Sequence, residues 1–155
     1  MKGYIAISND NWCNQIMAGK YELAVFWRKR TTFKAIAEGD YFYFLSRKRS
    51  DGKRYILGCG IYAGTKVMTP DDAWEAYGIA LGCENKIDFL SSIAKFYTGK
   101  VNLGCIELKN VKFAKEPVEL SLCGITFSDG TVSGKTINET DCRAINERLK
   151  IGVQK

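Results

Sequence analysis

The feature that most constrains the fold is a pair of apolar segments separated by a polar turn. Residues 41–45, Tyr-Phe-Tyr-Phe-Leu, are apolar or aromatic throughout, and residues 55–63 form a second apolar run interrupted by two glycines. Aromatic residues favour strands, and residues 50–52, Ser-Asp-Gly, favour a turn. The pattern predicts a β-hairpin with Phe42 and Phe44 facing the interior. Two glycines on one strand face favour a bend or a close backbone approach.

Helix signals surround this hairpin. Thr69-Pro70-Asp71-Asp72 supplies an N-cap, a proline at the first helical position and acids near the helix N-terminus. The fold class predicted is α+β: a small, mostly antiparallel, closed sheet with helices on its outside and rim. The predicted strands are residues 4–8, 23–27, 41–45, 55–63, 103–108, 111–113 and 118–122; the predicted helices are 11–18, 70–81, 86–97 and 139–150, with a helical turn at 33–37 and a turn at 128–130.

Length and composition limit the possible functions. The 155 residues predict one domain, 1–155, with a core that needs neither disulfide nor metal. Six cysteines occur singly and histidine is absent, so we expect no metal, no cofactor, no Ser-His-Asp triad and no Cys-His dyad. No stretch has the roughly 20 apolar residues of a membrane span, and no signal peptide is evident. We expect a cytoplasmic binding protein rather than an enzyme.

Positive charge is concentrated in one segment. Residues 28–54 contain nine basic and three acidic residues, and the rest of the chain contains fourteen of each, so the net charge of +6 lies here. Cations beside aromatic residues are typical of a nucleic-acid surface, although solubility or protection of a sheet edge is the alternative. The predicted phosphate contacts are Lys29, Arg30, Lys34, Lys48, Arg49, Lys53 and Arg54.

A series of short motifs carries a resemblance to a known family. Over about residues 4–136, the chain resembles the N-terminal domain of a bacterial group of HNH restriction endonucleases, in which F-W-x-P, F-K-A-L, G-E, I-V-G-G-G-F, A-W-E-A-F-G and I-G-C-I-x-L recur in the same order. Lys29 stands where those relatives have proline. The matching segments here are Phe26-Trp27-Arg28, Phe33-Lys34-Ala35-Ile36, Gly39-Asp40, residues 55–60, 73–78 and 104–108.

That domain is similar to the EVE and PUA-like superfamily, which includes YTH and ASCH domains. The resemblance implies a small β-barrel with peripheral helices that binds nucleic acid and holds a modified base in an aromatic pocket. Trp12 and Trp27 also suit a buried core position, and Asn9 or Asp10 also suits a helix cap. The pocket residues implied by position are Asn9, Asp10, Asn11, Trp12, Trp27, Arg28, Ser46 and Arg47.

Three functions follow as hypotheses. The first is a DNA-binding reader that flips a modified base, above all a modified cytosine, into the pocket. Stacking and hydrogen bonds in the pocket would offset the cost of unstacking the base. Such a reader would serve a modification-dependent restriction system. The chain lacks the HNH histidines, so a nuclease is expected in a missing C-terminal part, on a partner subunit, or not at all. The second is an RNA-binding PUA-like module, and the third is a small ASCH-like nuclease that uses lysine or carboxylates.

Overall fold

A computed structural model describes residues 2–19, 22–95, 97–127 and 134–150. The predicted turn at 128–130 lies outside these ranges. Of the helices that are described, none is long and apolar enough to cross a membrane. The strands are β1 (Gly3–Ile7), β2 (Ala24–Arg28), β3 (Tyr41–Leu45), β4 (Tyr55–Met68), β5 (Leu103–Glu119) and β6 (Gly134–Ile137); the α-helices are α1 (Asp10–Gly19), α2 (Pro70–Tyr77), α3 (Lys86–Ala94) and α4 (Glu139–Leu149); two 3₁₀ segments span Gly78–Leu81 and Leu120–Cys123.

The six strands form one sheet in the order β2-β5-β4-β3-β1-β6. All neighbouring pairs are antiparallel except β1 and β3, which run parallel. All five residues of β3 are buried, since helices and loops cover both faces of the sheet at this strand. This double burial explains why the β3 sequence is continuously apolar rather than alternating.

The sheet curls around its interior. The rings of Phe26 on β2 and Phe42 on β3 lie 5.2 Å apart, although β5 and β4 separate these strands. Neighbouring strands are about 4.8 Å apart, so a flat sheet would place these two strands roughly 14 Å apart. Within the described residues β2 and β6 do not pair, so the curled sheet is open where a closed one was predicted. Both edge strands are short, as is common for sheet edges.

The glycine signal in β4 corresponds to a close backbone approach, as predicted. A Cβ atom at Gly58 would overlap the carbonyl oxygen of Lys112 on β5. The β4–β5 register shifts on both sides of this point, between Ile56 and Gly58 and between Cys59 and Ile61. Glycine therefore permits the bulged, bent pairing that helps to curl the sheet.

Three buried clusters hold the helices on the sheet. Ile145 and Leu149 of α4 pack on the face of β3 that carries Tyr43. Trp12 and Ile16 of α1 join Phe42 and Phe44 in the curled interior. The third cluster places α2 and α3 against β2 and β5; its members include Val25, Ala73, Leu81, Phe89 and Leu103.

Several predicted boundaries are wrong. The helix predicted at 70–81 ends at Tyr77 and continues as a 3₁₀ segment, because Gly78 has a φ of 53°. The strands predicted between residues 103 and 122 form one long strand, β5, followed by a 3₁₀ segment. Residues 33–37 form no helical turn, and β6 was not predicted.

Candidate functional site

A cleft of about 500 Å³ opens where the end of β1, the start of α1, β2 and the end of α3 meet. It is the curl of the sheet that brings these segments together. No aspartate or glutamate of the described chain lines the cleft. Its aromatic lining residues are Tyr4, Trp12, Phe26, Trp27, Phe42 and Tyr97, and its cations are Arg28, Arg47 and Lys95.

Six of the eight residues predicted for the base pocket line this one cleft, although they come from three separated segments of the chain. Whether they bind a base stays a prediction. The six are Asn9, Asn11, Trp12, Trp27, Arg28 and Arg47.

Ser46 and Asp10 do not line the cleft, which corrects their predicted placement. Ser46 is 0% exposed; its hydroxyl accepts a hydrogen bond from the backbone N–H of Tyr55 and donates to the carbonyl oxygen of Arg47, both at 2.9 Å. Ser46 therefore fixes the start of the β3–β4 loop. The Asp10 carboxylate pairs instead with the guanidinium of Arg49 at 2.8 Å.

Trp12 forms a fixed wall of the cleft. It is 7% exposed, its indole Nε1 donates to the carbonyl oxygen of Val25 at 3.1 Å, and its ring meets Phe26 and Phe44 edge-on. Gly82 makes this packing possible, because a Cβ at that position would overlap the indole ring. Trp12 thus has the core role considered from its helical spacing while also lining the cleft.

Trp27 is anchored at one edge and half-buried. Its Nε1 donates to the carbonyl oxygen of Leu81 at 2.9 Å, and its ring contacts Phe89 edge-on with centroids 5.3 Å apart. These contacts fix the indole orientation before any ligand enters. A stacking surface with a fixed orientation loses little conformational entropy on binding.

Asn9 shapes the entrance by capping α1. Its side-chain oxygen accepts hydrogen bonds from the backbone N–H groups of Asn11 at 2.8 Å and Trp12 at 3.3 Å. The capping role considered from the sequence is therefore present, and it belongs to Asn9 rather than to Asp10. The cap also holds Asn9 and Asn11 at the cleft.

Arg28 is the half-buried cation of the cleft. Its Nη2 donates to the carbonyl oxygen of Thr32 at 2.8 Å, and its guanidinium lies 5.0 Å from the centroid of the Phe33 ring. Its Nε finds no hydrogen-bond partner in the described part of the chain. Burial lowers the pKa of Arg28, and repulsion from Arg30 adds to this, while Tyr4 opposes it. Its ordinary value is so high that the guanidinium stays charged.

The predicted phosphate contacts divide between two regions. The Lys29 ammonium lies over the ring of Tyr97, which lines the cleft, so Lys29 belongs to the cleft rim. Lys53 pairs with Glu119 at 2.8 Å and Arg54 lies over Phe127, and none of these four residues lines the cleft. Exposed residues that also lie outside the lining are Arg30, Lys34 and Lys48.

Lys95 and Tyr97 are two of the cleft residues that sequence reasoning missed. Lys95 follows α3 directly and Tyr97 lies two residues later, well separated in sequence from the basic segment. A lysine at the C-terminal end of a helix is ordinarily explained by its favourable interaction with the helix dipole, so the sequence around Lys95 did not indicate a binding role. Only the packing of α3 against β2 brings Lys95 into the cleft that Arg28 also lines.

The remaining chemistry in the cleft is limited. Cys83 is its one lining cysteine among the described residues, and burial raises the pKa of this thiol. Burial also raises the pKa of the buried thiols of Cys13 and Cys59 to about 12. In the parts of the chain that the structure describes, no three side chains of the His, Cys, Asp or Glu type form a metal-binding group.

Comparison with known proteins places the fold. No family model and no curated protein matches the chain. The crystal structure of ASCH from Zymomonas mobilis superposes with a TM-score of 0.69 at 11% identity, covering 94% of both chains. A mutant of that protein, with one tyrosine changed to phenylalanine, gives 0.69 at 13% identity, covering 95% of this chain and 98% of that one. A protein from Pseudomonas syringae gives 0.56 at 15% identity, covering 95% and 99%.

Identities this low show the fold alone. The predicted PUA-like fold is confirmed through the ASCH structures, whereas the EVE and HNH-endonuclease parts of the resemblance stay predictions. The chain has a curled, mostly antiparallel α+β fold similar to that of ASCH domains.

Proposed function

We propose that this chain binds nucleic acid and holds one unpaired nucleotide in the cleft, and that its ligand is DNA carrying a modified base. The observation that supports this most is the composition of the cleft: aromatic walls, three cations and no carboxylate among the described lining residues. Rings stack on bases and cations attract phosphates, so both parts of a nucleotide find a complementary group.

The size and rigidity of the cleft suit one nucleotide. Its volume of about 500 Å³ falls within the usual range of small-ligand sites, about 300–1,000 Å³. Trp27 and Trp12 are oriented by hydrogen bonds to backbone carbonyls, so the walls exist before the base enters. Stacking contributes about 1–3 kcal/mol per base, enough to offset the few kcal/mol needed to unstack it.

Preference for a modified base would arise from contact with these walls. Burying one extra methyl group contributes about 0.8 kcal/mol, roughly a fourfold gain in affinity. A modified cytosine such as 5-methylcytosine is therefore our first ligand. As in the restriction enzymes that the sequence resembles, such a reader would direct a nuclease carried by another segment or a partner subunit.

RNA is the second candidate. Stacking on Trp27 and phosphate contacts from Arg47 and Lys95 do not depend on the sugar, so the same cleft suits a single-stranded ribonucleotide. Tighter binding of a single-stranded RNA than of any DNA would favour this reading.

Fluorescence anisotropy at two salt concentrations tests the proposal. The ligands are matched duplexes with cytosine, 5-methylcytosine, 5-hydroxymethylcytosine, adenine or N6-methyladenine, plus DNA and RNA single strands. We expect one modified duplex to bind at least about fourfold tighter than its unmodified match. Equal affinity for all duplexes, with a uniform loss at high salt, would reduce the cleft to a nonspecific phosphate site.

Matched variants locate the binding site. Trp27→Leu should weaken binding about tenfold or more through lost stacking, whereas Trp74→Leu removes a half-buried tryptophan outside the cleft and should leave binding unchanged. Arg47→Ala and Lys95→Ala should weaken binding, and Lys115→Ala, an exposed lysine on β5, should not. The same samples test for cleavage. We expect the DNA and RNA ligands to be recovered intact after incubation with the protein. Cleavage that Lys95→Ala abolishes would instead show that the chain is a nuclease.

A further inference from the structure

Arg28 differs from other cations of the basic segment, residues 28–54, in how the protein surrounds it. The guanidinium is half-buried, stacks on Phe33 and donates from Nη2 to the Thr32 carbonyl oxygen. None of the described ion pairs includes it, and its Nε has no partner among the described residues. By contrast, the partly exposed Arg49 pairs with Asp10, and the exposed Lys53 pairs with Glu119.

A partly buried charge without a counter-ion is unfavourable, because the protein replaces water without supplying an opposite charge. An arginine with a purely structural role is usually paired and has its donors satisfied. The contacts with Phe33, Thr32 and the Tyr4 hydroxyl hold Arg28 in place, while its Nε keeps an unused donor beside the cleft that Arg28 lines. An anionic ligand would supply the missing charge.

We propose that Arg28 forms an anion subsite inside the cleft that binds a phosphate monoester, carried by the end of a nucleic-acid strand or by a free mononucleotide. This inference rests on the proposed function, since the aromatic walls of the same cleft hold the attached base. A monoester carries about 1.5 to 2 negative charges, and an internal backbone phosphate carries one. Arg47 and Lys95 line the same cleft and add to the positive potential there.

The subsite changes which nucleotide is held. A base flipped from the middle of a strand leaves two diester phosphates at the cleft rim, where exposed cations suffice. A terminal or free nucleotide can place its phosphate inside the cleft against Arg28, where water is partly excluded and charge–charge attraction is stronger. The subsite thus makes the cleft selective for phosphorylated ends.

Binding of end-defined ligands tests the subsite. Labelled eight-nucleotide DNA and RNA strands carry a 5′-phosphate, a 3′-phosphate or only hydroxyl ends, and cytidine, deoxycytidine and their monophosphates are titrated by calorimetry. We expect one phosphorylated end to bind about tenfold tighter than the hydroxyl end. Arg28→Gln should reduce this preference to about one, Arg28→Lys should retain part of it, and Lys115→Gln should leave it unchanged. Thermal unfolding establishes that each variant is folded.

The outcomes separate the two proposals. If strands bind equally well whatever their ends and the monophosphates bind no tighter than their nucleosides, the subsite is overturned and nucleic-acid binding stands. If monophosphates bind while strands of every kind fail, the nucleic-acid proposal is overturned and the subsite stands. The preferences of the unaltered chain for phosphorylated ends and for monophosphates over nucleosides decide the question even if Arg28→Gln does not fold.

Discussion

The two faces of β3 differ in whether their buried polar groups have hydrogen-bond partners. On the α4 face, the Tyr43 hydroxyl is enclosed among apolar side chains and donates to the Asn146 side-chain oxygen at 2.7 Å. On the cleft face, Arg28 has aromatic neighbours but retains a donor without a described partner. A satisfied polar group in a closed cluster indicates a structural role, and an unsatisfied one beside a cleft indicates a place for a ligand.

The largest expected effect comes from a substitution in the buried cluster between α4 and β3. Ile145 of α4 is 0% exposed, and Ile145→Ala removes buried methyl groups and leaves a cavity. The free energy of unfolding should fall by about 2–5 kcal/mol, measured by urea denaturation. Below the unfolding transition, affinity for the preferred nucleic acid should be unchanged. A parallel loss of affinity in the folded variant would mean that the two faces are coupled.

A smaller effect is expected from loss of the hydrogen bond between the Tyr43 hydroxyl and the Asn146 side chain. Tyr43→Phe leaves the buried Asn146 side chain without this hydrogen bond, so the free energy of unfolding should fall by about 1–3 kcal/mol. The double variant Tyr43→Phe with Asn146→Leu removes both partners and should recover much of that loss. Urea denaturation of the single and double variants measures these free energies. If the losses of the two single variants simply add in the double variant, the hydrogen bond between the two side chains does not stabilise the fold.

The cap at the cleft should affect both stability and binding. Asn9→Ala removes the cap of α1 and should lower the free energy of unfolding by about 0.5–2 kcal/mol. Asn138→Ala removes the equivalent cap of α4 and should cost a similar amount. Only Asn9→Ala should also weaken binding, because Asn9 lines the cleft. Equal affinities for the two variants in anisotropy titrations would remove Asn9 from the site.

The smallest expected effect concerns the Asp10–Arg49 pair. Both side chains are partly exposed, so Asp10→Asn should change the free energy of unfolding by no more than about 1 kcal/mol. The pair ties the β3–β4 loop, which carries Arg47, to the start of α1. Hydrogen exchange of residues 47–53 should therefore quicken in Asp10→Asn. Unchanged exchange would show that the turn hydrogen bonds of the loop hold it alone.

Local patterns in the sequence predicted much of the fold. The β3 run, the Thr69-Pro70 helix start and the docking of Ile145 follow from spacing and capping rules. Spacing alone does not settle which side of α3 faces inward: Ile87 is 76% exposed and Phe89 is fully buried. Both residues suit a helix, and only the position of β2 and β5 decides which one faces inward. Sheet closure and β6 likewise depend on contacts between distant segments.

The cleft was predicted only in part, and the prediction came from the resemblance rather than from local pattern. The positions in the 9–12 and 27–28 segments were identified by that route, apart from Asp10. Ser46 was misplaced because a serine that follows an apolar strand looks the same whether it faces a cleft or bridges a loop. Lys95 was missed because its position in the cleft arises from the packing of α3 alone.

The most direct test of the nucleotide-binding cleft uses the three tryptophans of the chain as reporters. Trp12 and Trp27 line the cleft, and Trp74 of α2 does not. Indole N–H resonances in NMR spectra, assigned with single Trp→Phe variants, are followed while a short single strand containing 5-methylcytosine is added. We predict saturable shifts of the Trp12 and Trp27 resonances with Trp74 unmoved. Shifts confined to Trp74, or binding with all three resonances unmoved, would contradict binding in the cleft.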